Sequence, residues 1–373
     1  MKTNRLFLYI VLIINLLFQI VYWTFLKDEI IVVYQNPENA SKWLTSLIDT
    51  FYPRFFTEKH RFQLEFFLGK AEQILIRFSF LSILALAFYY RNIVFRWKIF
   101  NTSFIQNFWN ISIQRNKVVF LQVFLAIVWI YESFTWYKSL KLLNRAAEFY
   151  EPHFLLKWIP FPSEEQLFYW FAVLYLFVLI SFWRKWSALF WILALCIILI
   201  LQGFLYGFGK IDHTYATWGY VSMLLPFLLI EIKKNTKEIQ AWSLRLMQLV
   251  VACVYLQTGL EKLMIAGFTW FEPQTLQTHL LSHPTTWGLW ISQSNTLCVL
   301  FSIMTIVFEL GFILIMVYPK SKYVFLPMGV LFHTGTFVLM NVGGFPSLWW
   351  LVYVIWFLGE EEKQSIDLSI HNV

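Results

Sequence analysis

A chain of 373 residues that is 59% hydrophobic and only 14% charged is not built like a soluble globular domain, where about a quarter of residues carry charge. The formal charge of +7 comes from Lys and Arg placed between apolar runs, with no stretch dense enough to form a nucleic-acid surface, so no nucleic-acid partner is expected. Cys196, Cys253 and Cys298 lie in or beside apolar segments without a C-x-x-C pair, which removes thiol-redox and zinc readings and marks them as small buried hydrophobes.

The apolar runs repeat along the whole chain, and several reach the roughly 20 residues a helix needs to cross about 30 Å of hydrocarbon. Met1-Lys-Thr-Asn-Arg5 leads straight into the first, 5–26, without a small-residue cleavage site, as a retained span and not a signal peptide would. Further spans are expected at 64–90, 117–137, 166–183, 187–208, 214–231, 241–262, 295–318, 323–340 and 346–358. The last is short enough to lie at the interface, which would leave nine. No Gly/Ser linker and no fixed-period repeat divides the chain. The expected fold is therefore a single all-α, polytopic membrane domain over 1–373: a bundle of about ten transmembrane helices with the lipid bilayer as its principal partner.

Basic residues in the short loops orient it. Lys2 and Arg5, then Arg91, Arg96, Lys98, Arg115 and Lys117, then Arg184–Lys185, Lys233–Lys234–Lys237 and Lys320–Lys322, fall on one side of a ten-span arrangement. That places the N terminus in the cytoplasm, with the plasma membrane as the expected location. Segments 27–63, 138–165, 209–213 and 263–294 then face outward, and the Asn-x-Ser sequons at Asn101 and Asn110 fall on the cytoplasmic side as chance matches. Most of the nineteen tryptophans are expected near span ends, as interfacial belts. The aromatic segments 41–56 and 146–161 are expected along the outer interface, shaping an entrance for lipid.

An ionisable side chain inside a span needs a partner or a function. Arg77, Glu132, Lys210, Asp212, His213, Glu261, Lys262, Glu309 and His333 are the candidates. His213 begins one span at the outer face, and two crossings later Lys262 ends another at the same face. Tyr255, Gly259 and Lys262 follow i, i+4, i+7 spacing and share one helix face, where Gly259 allows close approach of a backbone or a ligand. A lysine there either snorkels to the headgroups or, desolvated beside a histidine, serves as a general base. Glu309 and His333 lie about ten residues either side of the Pro319–Lys322 turn, level in an antiparallel hairpin, and are expected to form a hydrogen-bonded pair. Arg77 and Glu132 are expected to pair structurally. His279 and His283 share a helical spacing but lack a third ligand, so no metal is expected.

The same segments carry a resemblance. Asp212-His213-Thr214-Tyr215 resembles the Asn-His-Ser-Tyr stretch of the vitamin K-dependent gamma-glutamyl carboxylase family. Tyr255-x-x-x-Gly259-x-x-Lys262-Leu263 followed by Trp270 is similar to that family's Tyr-x-x-x-Gly-x-x-Lys-Leu…Trp motif. Glu309 and His333 resemble the Glu and His of the succeeding spans in the wider group of horizontally transferred transmembrane (HTTM) domain proteins. The resemblance runs from about 200 to 345. It implies Lys262 as the base that deprotonates a reduced, vitamin K-type quinone and His213 as its catalytic partner, with Tyr255, Gly259, Glu309 and His333 in support. The carboxylase itself continues into a large lumenal domain that helps recognise its propeptide, whereas this chain stops soon after its last span. Lipophilic small-molecule chemistry is therefore expected in preference to carboxylation of a protein. The alternative is a non-enzymatic transporter, or a helper in the export or maturation of a secreted peptide.

Overall fold

The computed structural model describes residues 2–51, 55–89, 108–209, 215–232, 238–342 and 348–359. These residues are overwhelmingly helical. The described residues of Met1–Gln106, Ser139–Glu164 and Ile200–Lys210 form one compact unit, and those of Asn107–Lys138, Glu165–Leu199 and Ile211–Val373 form a second.

In the first unit, α1 (Lys2–Val21) continues through one π-helical turn, Tyr22–Leu26, into α2 (Lys27–Gln35). Helix α3 (Lys42–Phe51) is amphipathic, with apolar residues at 43, 44, 47, 48 and 51. Leu44 joins Val33 and Phe55 in a small core, with Phe55 on the one-turn α4 (Phe55–Glu58) and Phe67 on α5 (Leu64–Tyr89) packed against it. Trp43 and Leu47 remain exposed. Lys157, in a 3-10 turn at Phe154–Trp158, forms an ion pair with Asp49 of α3, so the two aromatic segments expected at the outer interface lie together.

The second unit draws on α6 (Arg115–Leu143), α7 (Glu164–Ile180), α8 (Ser187–Tyr206) and α9 (Ala216–Ile232), then on α10 (Trp242–Ala266), α11 (Pro273–Ser282), α12 (Thr286–Ser292), α13 (Asn295–Gly311) and α14 (Lys322–Met340). A two-stranded antiparallel ribbon fixes its register: β1 (Ser112–Gln114) pairs with β2 (Glu238–Gln240), with Ile113 opposite Ile239 and both buried. Each strand runs directly into a helix, β1 into α6 and β2 into α10, so both helices start from one face. Because the two strands pair, the chain that leaves this face through α6 has returned to it where β2 begins. Arg184 donates to the Ile232 carbonyl at 3.3 Å, Arg245 to that of Phe108 at 2.9 Å and Lys322 to that of Trp356 at 3.5 Å. Arg184 and Lys322, both expected on one side, thus gather at this face with Arg245 and bond carbonyls at helix ends.

Among the described residues, six helical stretches are long and apolar enough to cross a bilayer: Tyr9–Gln35, Arg115–Phe149, Ser187–Tyr206, Trp242–Phe271, Asn295–Met316 and Pro319–Met340. A further apolar helix, Ala216–Ile232, is shorter. The chain is accordingly an α-helical protein of membrane-integral character.

Several expectations change. The final segment, expected at 346–358 as a span or an interfacial stretch, is a ten-residue 3-10 helix, Leu348–Phe357, about 20 Å long at its steeper rise. Val352, Tyr353, Ile355 and Trp356 are buried in protein, and the Ile355 carbonyl accepts from Gln248 of α10. High hydropathy here reflects burial inside the unit, which composition cannot tell from exposure to lipid. Segment 263–294, expected to face outward, is itself helical: it forms α11 and α12, whose Leu280 and Ile291 pack on Cys298 of α13. Trp129, Trp136 and Trp191 leave the interfacial pattern and are buried; Trp129 and Trp191 donate to the hydroxyl and the carbonyl of Ser222. Of the three thiols only Cys298 is buried, whereas Cys196 and Cys253 are exposed. Helices that are apolar all round carry no inside–outside signal for a residue as neutral as cysteine.

Candidate functional site

Lys262 lies one turn short of the end of α10. Gly267 closes that helix with φ 58°, a left-handed conformation that costs glycine little, and its N–H returns to the Leu263 carbonyl. The reversal sends the chain through a 3-10 turn, Gly267–Phe271, and folds Trp270 back over the lysine, whose Nζ lies 5.4 Å from the ring centroid. The His279 ring packs behind Trp270 at 6.2 Å.

The partner of Lys262 is Glu309 of α13. Nζ donates to both carboxylate oxygens, at 2.5 and 2.7 Å, and the two side chains are 24% and 4% exposed. Gly259 makes this geometry possible. A Cβ there would stand 3.0 Å from the Glu309 Cβ and 2.9 Å from Leu310 Cδ2, so a larger residue would have to push α13 or these side chains aside. A bidentate charge-assisted contact of low exposure is among the stronger polar interactions a protein makes, provided neither partner is left alone.

About two turns back along α10 from Lys262, Tyr255 is buried among Phe308, Phe312, His333 and Tyr353. Its Oη is 2.7 Å from His333 Nε2 and 2.7 Å from the Tyr353 hydroxyl. A phenol has one proton, so in this chain of three groups Tyr255 donates to one neighbour and accepts from the other, according to the histidine tautomer. Gly329 admits Tyr353: a Cβ at 329 would fall 2.1 Å from its hydroxyl oxygen.

Four of the singled-out residues, Tyr255, Gly259, Lys262 and Glu309, therefore come together on the α10–α13 contact, and His333 joins through Tyr255. The pairing expected between Glu309 and His333 gives way to another. Both residues turn to α10, Glu309 to Lys262 and His333 to Tyr255, because α10 supplies a polar face to both halves of the hairpin. Depth along two adjacent spans suggested a pairing that a third helix intercepts. His213, Lys210 and Asp212 lie outside the described residues. Glu132 accepts a hydrogen bond from the Tyr215 hydroxyl at 3.1 Å. No group of three or more His, Cys, Asp or Glu side chains placed to hold a metal occurs among the described residues.

Sequence reasoning missed Tyr353, which sits in a segment so apolar that its hydroxyl carried no signal, and it gave Trp270 no geometric role. Compared with protein-family models, curated proteins and solved structures, the chain matches none.

Proposed function

We propose that this chain is a membrane-embedded enzyme that moves a proton to or from a hydroxylated lipophilic molecule, a reduced quinone of the vitamin K type fitting best, with Lys262 and Glu309 as the proton-handling pair. The single observation carrying the reading is the bidentate Lys262–Glu309 contact, almost out of water and faced by Trp270. A proton passed from Nζ to the carboxylate leaves a neutral amine able to accept a hydroxyl proton, and an acid able to return it. The low exposure of Glu309 favours this exchange, since a neutral pair is less costly to bury than an ionic one. An aromatic substrate would find a stacking partner in Trp270. Kinship with the HTTM group, and with it a contribution from His213, rests on the sequence motifs alone. The same proposal includes about ten spans, and a cytoplasmic N terminus and a plasma-membrane location, which rest on the placing of basic residues along the sequence; the gathering of Arg184, Arg245 and Lys322 at one face supports a common side for those three residues.

The test is oxygen uptake by purified protein in liposomes given vitamin K hydroquinone or reduced menaquinone, with mass spectrometry for the epoxide. Turnover by wild type that is lost in Lys262→Ala and Glu309→Gln is the expected result. A folded wild-type protein that consumes no oxygen and forms no epoxide would remove this chemistry for these substrates.

One observation favours a second reading, a non-enzymatic transporter or a helper for a secreted peptide. The ion pair and the Tyr255–His333–Tyr353 chain follow one another along one face of α10, as the steps of a polar path would. Proton or solute flux in the same liposomes, abolished by Tyr255→Phe without any quinone present, distinguishes it.

A further inference from the structure

The first unit holds a second polar constellation, separate from the α10–α13 site and independent of the function proposed for it. A cavity of about 400 Å³ opens between α1 and α5, lined by Gln19, Trp23, Glu72, Ile76, Ser79 and Phe80 among others. On α5 the positions 72, 76, 79, 80 and 83 recur at helical spacing and form one wall. On the other side, Asn15, Gln19 and Trp23 follow at four-residue spacing on one face, and the wider π turn at Tyr22–Leu26 reduces the further rotation of Lys27 away from it.

The two ends of this groove differ in chemistry. At one end Glu72 Oε1 accepts from the Tyr22 hydroxyl at 3.2 Å and from Lys27 Nζ at 3.5 Å, and the ammonium also lies 4.6 Å from the Trp23 ring centroid. Both bonds fall on Oε1, so Oε2 has no protein partner among the described residues. About 10 Å further along α5, Gln19 gives one amide proton to the Ser79 hydroxyl at 2.8 Å, and Ser79 donates in turn to Asn15 at 3.2 Å. Past that point the walls are Phe80 and Ile83, both exposed.

We propose that this groove binds a phospholipid with a primary-amine headgroup, of the phosphatidylethanolamine class. Its ammonium meets the free Glu72 oxygen and the Trp23 face, its phosphate meets Lys27, its ester carbonyls lie level with the second Gln19 amide proton, and a chain runs along Ile76, Phe80 and Ile83. Charge and hydrogen-bond donors together decide among headgroups. A purely anionic head would satisfy Lys27 but crowd the Glu72 carboxylate, and a quaternary choline has no N–H to give Oε2. A primary ammonium supplies three donors for Glu72 while the phosphate beside it meets Lys27, so each charge finds its opposite. The cavity lies within the size range of specific ligand sites and carries a few placed polar groups on apolar walls.

The experiment uses the full chain, delipidated in mild detergent and offered phosphatidylethanolamine, phosphatidylcholine and phosphatidylglycerol of identical chains, with retention read by native mass spectrometry. The expected result is retention of the ethanolamine lipid several-fold above the other two. Glu72→Gln should bring it down to the choline level, and Lys27→Gln should weaken all three. Ile76→Trp fills the groove from an exposed position without touching the charged cluster, and should abolish retention in a protein that still unfolds cooperatively. Equal retention of the three lipids would overturn the proposal. So would an ethanolamine preference that survives both Glu72→Gln and Ile76→Trp.

Discussion

Lys262 Nζ lies 2.5 and 2.7 Å from the two carboxylate oxygens of Glu309, joining the C-terminal end of α10 to α13 at a close approach that Gly259 makes room for. The energetics of such a pair are asymmetric. Lys262→Met leaves a carboxylate that is 4% exposed without its counter-charge, and should lower stability by about 3 kcal/mol, the low end of the range for orphaned buried ions. Glu309→Gln keeps the shape and one acceptor, and should cost less. The double variant Lys262→Met/Glu309→Gln should regain most of the loss, because no charge is then stranded. Thermal unfolding in detergent micelles measures all three, and strictly additive losses would show that the two residues do not act as a pair.

Glycine substitutions separate close approach from mere helix composition. Gly259→Ala puts a methyl against Glu309 and Leu310 and should destabilise by about 1–3 kcal/mol through overpacking. Gly219, within α9, has nothing within 4 Å of the same position, so Gly219→Ala should be neutral, or stabilising by up to about 1 kcal/mol from helix propensity. Equal effects at the two sites, read by the same unfolding assay, would contradict the packing described at Gly259.

The hydroxyl of Tyr255 serves both His333 and Tyr353, whereas that of Tyr353 serves Tyr255. Tyr255→Phe takes the partner of the buried Tyr353 hydroxyl and one hydrogen bond of the part-buried His333, and should cost about 1–3 kcal/mol. Tyr353→Phe removes one end of the chain, leaves the Tyr255–His333 bond in place and should cost less than half as much. Chemical denaturation of the two variants gives the ratio, and a reversed order would mean that the chain is organised around Tyr353.

These elements differ in how far the residues alone announce them. The membrane class is legible because long apolar runs, repeated from one end of a chain to the other, have no place in a soluble fold. The shared face of Tyr255, Gly259 and Lys262 follows from helical spacing. Glu309 and His333 are visible as costly intramembrane polar residues, but their partners are not. Which helix comes between two others is a tertiary fact, and a hairpin argument sees only neighbours in sequence. The 3-10 segment Leu348–Phe357 escapes for a related reason, since burial in protein and exposure to lipid select the same apolar side chains. Gly259 is the best clue to α13, because a glycine among bulky residues marks close contact without naming what makes it.

The β1–β2 ribbon carries a topological prediction. It starts α6 and α10 from one face, with Arg184, Arg245 and Lys322 gathered there. Single cysteines placed at Gln240, Lys185 and Lys320 in a background lacking Cys196, Cys253 and Cys298 should react from the same side of a sealed vesicle with an impermeant maleimide. A cysteine at Gln274, at the start of α11, should react only from the other side. Labelling of Gln240 and Gln274 from one side would break the assignment of α10 as a crossing helix.

Tyr150, just beyond the end of the Arg115–Phe149 helical stretch, tests the packing of the first unit. Its ring rests on Gly207, where a Cβ would fall 2.2 Å from the aromatic carbon Cε2, and Phe161, Phe204 and Phe208 surround it. The hydroxyl is buried without a hydrogen-bond partner among the described residues, and burial pushes the phenol from its ordinary value of 10.0 up to about 12. Desolvation penalises the phenolate in the folded state only, so the unfolded chain loses this proton first as pH rises. The folded protein therefore keeps its full stability from this residue below pH 10 and loses it progressively between pH 10 and 12. Tyr150→Phe removes a hydroxyl that has no partner to lose, and should unfold at a temperature close to wild type at pH 8. Above pH 10 the variant should become the more stable of the two, a crossing that isolates Tyr150 from every other tyrosine in the chain. Parallel curves through pH 11 would show that the phenol is open to water, and the packing on Gly207 would then have to be abandoned. Gly207→Ala provides the converse check, since a methyl beneath the ring should expel it and return the titration towards its ordinary range.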